Sequence, residues 1–250
     1  MKLGVSSLVS ADISEDTFKM FKDTNIRYLE LAIPQYYNWD SNWIRLNSLI
    51  DLCEKYQIKI KSAQSILFNS KTTSICDDYF IPHIKYVLHV CSKIGIDVMV
   101  FGSPTSRNDV CKEKLKTIFD SIEIALQPTD QFLLIEPNCR KYGGSFFFTM
   151  SEIISFLIKN GYTKIMTMID THNIISEGDD ILEVYQKYLK YIKHIHVSEN
   201  DLGAFIPSQT HLEFADLLKA TDYDGLIIYE VKNSKNLINE LTQFSKIYSK

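Results

Sequence analysis

Short runs of apolar, often β-branched residues alternate along this chain with longer stretches of helical period. The runs are Lys2–Val5, Arg27–Ala32, Lys59–Gln64, Asp97–Phe101, Gln131–Ile135, Ile165–Ile169, His194–Val197 and Leu226–Tyr229. Several are apolar almost throughout, as parallel strands covered on both faces must be. Between them, Ile44, Leu46, Leu49, Ile50 and Cys53 recur at helical spacing, as do Leu115, Ile118, Phe119 and Ile122. Thr149-Met150-Ser151-Glu152 and Thr210-His211-Leu212-Glu213 read as capping boxes, and Asp12 with Glu15 as a variant opening a helix over Glu15–Lys22. Further helices are expected near 78–94, 181–192 and 235–248.

Strands alternating with helices imply right-handed βαβ units and a parallel sheet. Eight such units in 250 residues fit an α/β fold of the (β/α)8 type, a TIM barrel forming a single domain over residues 1–250. The alternative, an open doubly wound sheet, finds no GxGxxG after the first strand and no P-loop. No composition shift or low-complexity stretch marks a linker. The nearest thing to a long loop is Ile66–Asp77, which follows strand 3 and so falls on the functional face of a barrel.

Hydrophobic residues make up 45% of the chain and charged residues 23%, ordinary for a chain with a real core. A net charge of −4 offers no basic field for nucleic acid, so small molecules are the expected partners. The five cysteines form no CxxC pair, which implies reduced thiols rather than a disulfide framework. There is no signal-like apolar core at the N-terminus and no run of about 18 apolar residues. The expectation is therefore a cytoplasmic protein without a membrane partner.

The chemistry gathers at strand ends. Strands 5 to 8 close on Glu136, Asp170, the His194-Ile195-His196 pair and Glu230, each after apolar residues. In a barrel these ends line one side of the mouth. A lone acid there would be an ordinary helix cap or salt-bridge partner, but liganding types on four successive strands form a set. Carboxylates crowded against low-dielectric walls either retain a proton or recruit a cation. Three carboxylates and one imidazole suit one divalent ion, Mn2+ or Mg2+ by preference, with Co2+ or Zn2+ admitted by the imidazole.

At these residues the chain resembles the xylose-isomerase-like superfamily, sugar and sugar-phosphate isomerases and epimerases of the tagatose 3-epimerase type. The likeness covers nearly the whole sequence. It is carried by Ser62-Ala63-Gln64-Ser65-Ile66-Leu67-Phe68, Val100-Phe101-Gly102-Ser103-Pro104, Ile135-Glu136-Pro137-Asn138, Ile169-Asp170-Thr171 and His194-Ile195-His196-Val197-Ser198-Glu199. The resemblance implies that Glu136, Asp170, His196 and Glu230 are the metal ligands. It also implies that Glu136 and Glu230 are catalytic, moving a proton through a metal-stabilised enediolate. It points to a sugar or sugar phosphate as substrate and to a homodimer or homotetramer. Three departures stand out. His172 comes one position earlier than the substrate-contacting histidine of many relatives. Asn200-Asp201-Leu202-Gly203 replaces a loop that often holds an arginine, and Tyr142 replaces a second glutamate. The substrate is thus expected to differ from that of the standard ketose 3-epimerases.

Around this set, Gln64, His172, Arg107 and His211 are candidates for binding substrate, and His194 for orienting His196 or simply for burial. Arg140 and Lys141 lie on the right face for an anion, and guanidinium suits phosphate. Glu30 would meet sugar hydroxyls or balance charge inside the barrel. Trp39 and Trp43 would stack on a sugar, exclude solvent or form an oligomer contact. His83 and His89 read as structural. Two other functions compete: a metal-dependent dehydratase of a sugar or polyol, which begins with the same deprotonation, and a nuclease of the endonuclease IV type. The nuclease needs more histidine ligands at strand ends than a chain with six histidines in these places supplies.

Overall fold

The computed structural model describes residues 1–37 and 43–249, without the side chains of 109–111. Eight strands, β1 Lys2–Ser6, β2 Tyr28–Ala32, β3 Lys59–Gln64, β4 Val98–Phe101, β5 Phe132–Ile135, β6 Ile165–Asp170, β7 Ile192–Ser198 and β8 Leu226–Glu230, pair in chain order. All pairings are parallel, and β8 pairs back onto β1 to close the barrel. Around them run α1 Glu15–Asp23, α2 Ile33–Tyr36, α3 Ile44–Tyr56, α4 Phe80–Lys93, α5 Leu115–Leu126, α6 Met150–Asn160, α7 Thr171–Ser176, α8 Ile181–Tyr188, α9 Gln209–Ala220 and α10 Leu237–Tyr248. The expected TIM barrel is the fold observed. Among the described residues, no helix is long and apolar enough to cross a membrane.

Alternation along each strand separates two interiors. Leu31, Phe101, Ile135, Ile169, Val197 and Tyr229 face outward into one large apolar cluster shared with the helices. Val100, Leu134 and Met168, from three neighbouring strands, form a small cluster of their own inside the barrel. Much of the rest of the barrel interior is polar, Ser6, Glu30, Ser62, Gln64, His194 and His196 all being buried, with Ile228 of β8 an apolar residue among them against Gly4. The strand register shifts twice, between Leu29 and Glu30 on β2 and between Thr167 and Ile169 on β6. Such irregularities re-aim the side chains beside them, and here they precede Glu30 and Asp170.

Two helix starts differ from the capping patterns. Helix α1 is capped by Ser14, whose hydroxyl accepts from the Thr17 N–H, not by Asp12. Helix α9 is capped by Ser208 through the His211 N–H, so Thr210 lies inside the helix. A serine nearer the turn outcompeted the residue that fitted the spacing. Thr149 does cap α6, accepting from the Glu152 N–H at 3.3 Å, while Glu152 reaches back to the Phe148 N–H at 3.0 Å. The expectation of reduced thiols throughout also fails: Cys76 is disulfide-bonded, whereas Cys53, Cys91 and Cys139 are free and buried.

Candidate functional site

Parallel closure carries four side chains to one end of the barrel. Glu136 follows β5 directly and is fixed there by its N–H donating to the Phe101 carbonyl at 3.2 Å. Asp170 ends β6 and stands opposite His196 on β7, while Ser198, two residues on, stands opposite Glu230 at the end of β8. Glu136, Asp170, His196 and Glu230 are all buried, and each presents a ligand atom within 4.8 Å of the other three. Residues in the left-handed region recur in the loops above them, at Ser103, Phe147, Asp201 and Leu202. Non-glycine backbone of this kind is costly and gathers where geometry matters.

Room for this cluster comes from Gly102, just past β4. A Cβ there would sit 2.2 Å from Glu136 Oε2, so any side chain would displace the carboxylate. Asp170 is held from two sides. Its Oδ1 caps α7 by accepting from the Asn173 N–H at 2.7 Å, and its Oδ2 accepts from the Ser198 hydroxyl at 2.7 Å. Burial, followed by the charges of Glu136 and Glu230, pushes the Asp170 carboxyl up to about 8.

His196 faces carboxylates at both ring nitrogens. Its Nδ1 lies 3.1 Å from Glu230 Oε2 and 3.4 Å from Glu136 Oε1, and its Nε2 lies 2.7 Å from Glu30 Oε1. These are ion-pair distances, yet neither nitrogen makes an aligned hydrogen bond. Burial opposes a charge on His196, but Glu30 and Glu230 outweigh it and hold the imidazole well above the usual histidine range. Glu30 also accepts from His194 Nε2 at 2.8 Å and from Gln64 Nε2 at 3.0 Å. Burial opposes its charge as well, but the imidazoles of His196 and His194 prevail and hold its carboxyl well below the carboxylate range. His194, with Nδ1 unpartnered, is driven down by burial. Glu30 therefore links the two histidines from across the barrel.

These residues fit a divalent cation. Without one, protons on Asp170 and His196 supply the positive charge that the crowded carboxylates require. A cation among Glu136, Asp170, Glu230 and Nδ1 of His196 would replace both. It would also satisfy a buried nitrogen that has no hydrogen bond, with Glu30 on the other nitrogen fixing the ring.

A cavity of about 410 Å³ opens over the cluster. Glu136, Asp170 and Glu230 line it together with Asn138, Tyr142, His172 and Lys232. Of the four residues expected to meet substrate, His172 is on this wall. Gln64 lies buried beneath it, donating to Ser6 and Glu30. Arg107 is fully buried between the rings of Phe101 and Phe147. It donates to the carbonyls of Phe101 at 2.6 Å, Glu136 at 3.0 Å and Phe147 at 3.4 Å. Burial lowers its guanidinium to about 10, and its role in this position is to tie the ends of β4 and β5 together. His211 is buried between the Tyr248 hydroxyl at 2.7 Å and Glu199 Oε1 at 3.3 Å, and reaches the cavity only through Glu199. Arg140 pairs with Glu177, and Lys141 with Asp201 at 2.6 Å. Trp43 packs on Tyr37, 4.8 Å between ring centroids; Trp39 lies outside the described residues.

Sequence reasoning missed Gly102, Ser198, Asn173 and Asn138. Ser198 shares the β7 face of His194 and His196 by alternation, and Asn173 stands at the position whose N–H a helix cap receives. Those two were findable. Gly102 was visible only as part of a motif, since nothing local says which atom it makes way for.

The sequence matches the model of the xylose isomerase-like TIM barrel family over residues 18–247. No curated protein matches it by sequence. Among solved structures it is similar to 3-keto-D-glucoside 4-epimerase YcjR from E. coli, with TM-score 0.78, 14% identity, 98% of this chain and 97% of that one covered. It is also similar to D-allulose 3-epimerase from Methylomonas sp., with TM-score 0.72, 16% identity and coverage of 99% and 93%. A third is the probable 3-DHS dehydratase AsbF of Bacillus anthracis, with TM-score 0.72, 13% identity and coverage of 100% and 99%. At these identities the structural likeness speaks for the fold, and the family match carries the assignment: the chain belongs to the xylose isomerase-like TIM barrel family.

Proposed function

We propose that this protein is a divalent-metal-dependent isomerase or epimerase of a small sugar or sugar phosphate. The observation that carries the reading is the set of four buried ligand atoms within 4.8 Å of one another, three of whose residues line a cavity. The sugar epimerases among its structural relatives support it.

Glu136, Asp170, Glu230 and His196 Nδ1 would hold the cation, Mn2+ or Mg2+ by ligand type. When bound, it would supply Lewis-acid stabilisation of negative charge on substrate oxygens. The chain does the rest. Glu136 and Glu230 enter from strands three apart and both line the cavity, which supports a reading in which their carboxylates would flank a substrate carbon from two sides. One takes the proton from a C–H next to a carbonyl and the other returns one. Return on the opposite face inverts the centre; return to the adjacent carbon exchanges aldose and ketose. Ser198 and the Asn173 N–H hold Asp170, and Glu30 holds His196, so neither side chain must reorganise as charge develops.

The test is carbon-bound proton exchange in D2O with aldoses, ketoses and their phosphates plus Mn2+. The wild-type chain should exchange label, and Glu230→Gln should lose at least about 100-fold of that rate with its fold intact. Full exchange in Glu230→Gln would remove that residue from the mechanism. A product lighter by one water would replace the isomerase with the dehydratase.

A further inference from the structure

We infer that the substrate carries an anionic group, a phosphate or a carboxylate, and that Lys232 is the residue that holds it; this rests on the reading above of a small carbonyl substrate in the same cavity.

Beyond the four-residue cluster, two more carboxylates line the wall, and both are engaged. Asp201 pairs with Lys141 at 2.6 Å. Glu199 accepts from the Ile206 N–H at 3.0 Å and faces His211 at 3.3 Å. Three cations near the cavity are engaged: Lys141 on Asp201 and Asn200, Arg140 on Glu177, Arg107 on buried carbonyls. Lys232, exposed at the rim, is the one lysine or arginine among the described residues that line the cavity. Its ammonium has neither an ion pair nor a hydrogen bond among the described residues. Its backbone is not loose, because its N–H donates to the Leu202 carbonyl at 3.0 Å. Carboxylates are abundant nearby, and an ammonium that pairs with none of them is available to an incoming anion.

Position adds to this. Lys232 follows Glu230 by two residues, at most about 7 Å along the backbone. Both residues line the one cavity, so a single small ligand could meet Glu230 and Lys232 together. The opposite requirement is met by Asn138 on the same wall, 6% exposed, whose side-chain oxygen Oδ1 is buried without a partner. A buried acceptor of this kind selects a hydroxyl donor. The complementary ligand has hydroxyls at one end and a negative charge at the other.

Binding to the Mn2+-loaded protein by isothermal titration tests this with three pairs: D-ribulose and its 5-phosphate, D-tagatose and its 6-phosphate, and D-glucose and D-glucuronate. At least one anionic member should bind about 10-fold tighter than its neutral partner, the scale of one charge-assisted contact. Lys232→Ala should erase that difference and leave the neutral member unchanged, and Lys232→Arg should restore most of it. The phosphate pairs and the uronate pair distinguish the two anions. Equal binding within every pair, equal weakening of both members in Lys232→Ala, or no binding at all would overturn the inference. Deuterium exchange run alongside separates it from the reading beneath. Anion preference without exchange would sink enolisation and leave Lys232 standing. Exchange of neutral sugars indifferent to Lys232→Ala would do the reverse.

Discussion

Replacing Gly102 with alanine should remove function without removing stability. The added Cβ would meet Glu136 Oε2 at 2.2 Å, with the next atoms, Glu136 Cδ and Asn138 Nδ2, at 3.5 and 3.9 Å. Only the carboxylate tip is in the way, and it must retreat by about 1 Å to reach ordinary contact. A flexible side-chain end can do that cheaply, so the fold has no reason to suffer. Gly102 is not among the residues of positive φ, and exchange to alanine there should stabilise the chain by up to about 1 kcal/mol through the unfolded state. The melting temperature should hold or rise by about 2–4 °C. Metal ligands, by contrast, tolerate displacements of only about 0.2 Å. A shift of about 1 Å should weaken Mn2+ binding about 10- to 100-fold and slow turnover about 100-fold. Calorimetric Mn2+ titration and thermal melting on the same preparation measure both. Wild-type affinity in Gly102→Ala, or a melting point several degrees lower, would refute the reasoning.

Three other outcomes follow from the same geometry. Glu30→Gln removes the charge that faces His196 Nε2 and should cost about 10- to 100-fold in Mn2+ affinity, though Glu30 itself lies behind the ligands; unaltered titration would show that Glu30 only fills space. Arg107→Met strips the donors from three buried carbonyls and should cost about 3 kcal/mol in urea unfolding, whereas a substrate-binding role alone would leave stability untouched. The Asp170 carboxyl, ordinarily near 3.8, is pushed up to about 8. The folded, metal-free chain thus keeps a proton that the unfolded chain releases, so this contribution to stability is full below about pH 4 and drains away as pH rises towards 8. Metal must expel that proton, so Mn2+ affinity should climb roughly tenfold or more per pH unit from about pH 6 to 8 and then level off; a flat profile would contradict it.

The barrel was legible because its signal is repeated. Eight apolar runs separated by helical stretches leave few topologies, and strand β3 falls on the expected residues Lys59–Gln64. The convergence of Glu136, Asp170, His196 and Glu230 was legible for the same reason, since parallel closure brings consecutive strand ends together. Whatever depended on a single contact was not. Helices α2 and α7 span four and six residues, too short to show a period. Arg107 was expected to meet substrate, because nothing in the sequence says that the chain folds back over it. Glu30 was seen as a charge inside the barrel, but its two imidazole partners lie 164 and 166 positions away, and only the closed sheet brings them within 2.8 Å.

The division of the barrel interior into an apolar arc and a polar one has a practical corollary for anyone redesigning this enzyme. At Val100, Leu134 and Met168, exchanges among hydrophobic residues of similar size should cost under about 1.5 kcal/mol and leave the chemistry alone. Across the axis, at Glu30, Gln64 or His194, the same conservatism is not available, since every apolar replacement strands a buried neighbour. A mutant library weighted to the β4–β6 side would retain more of its catalysts than one spread evenly round the barrel.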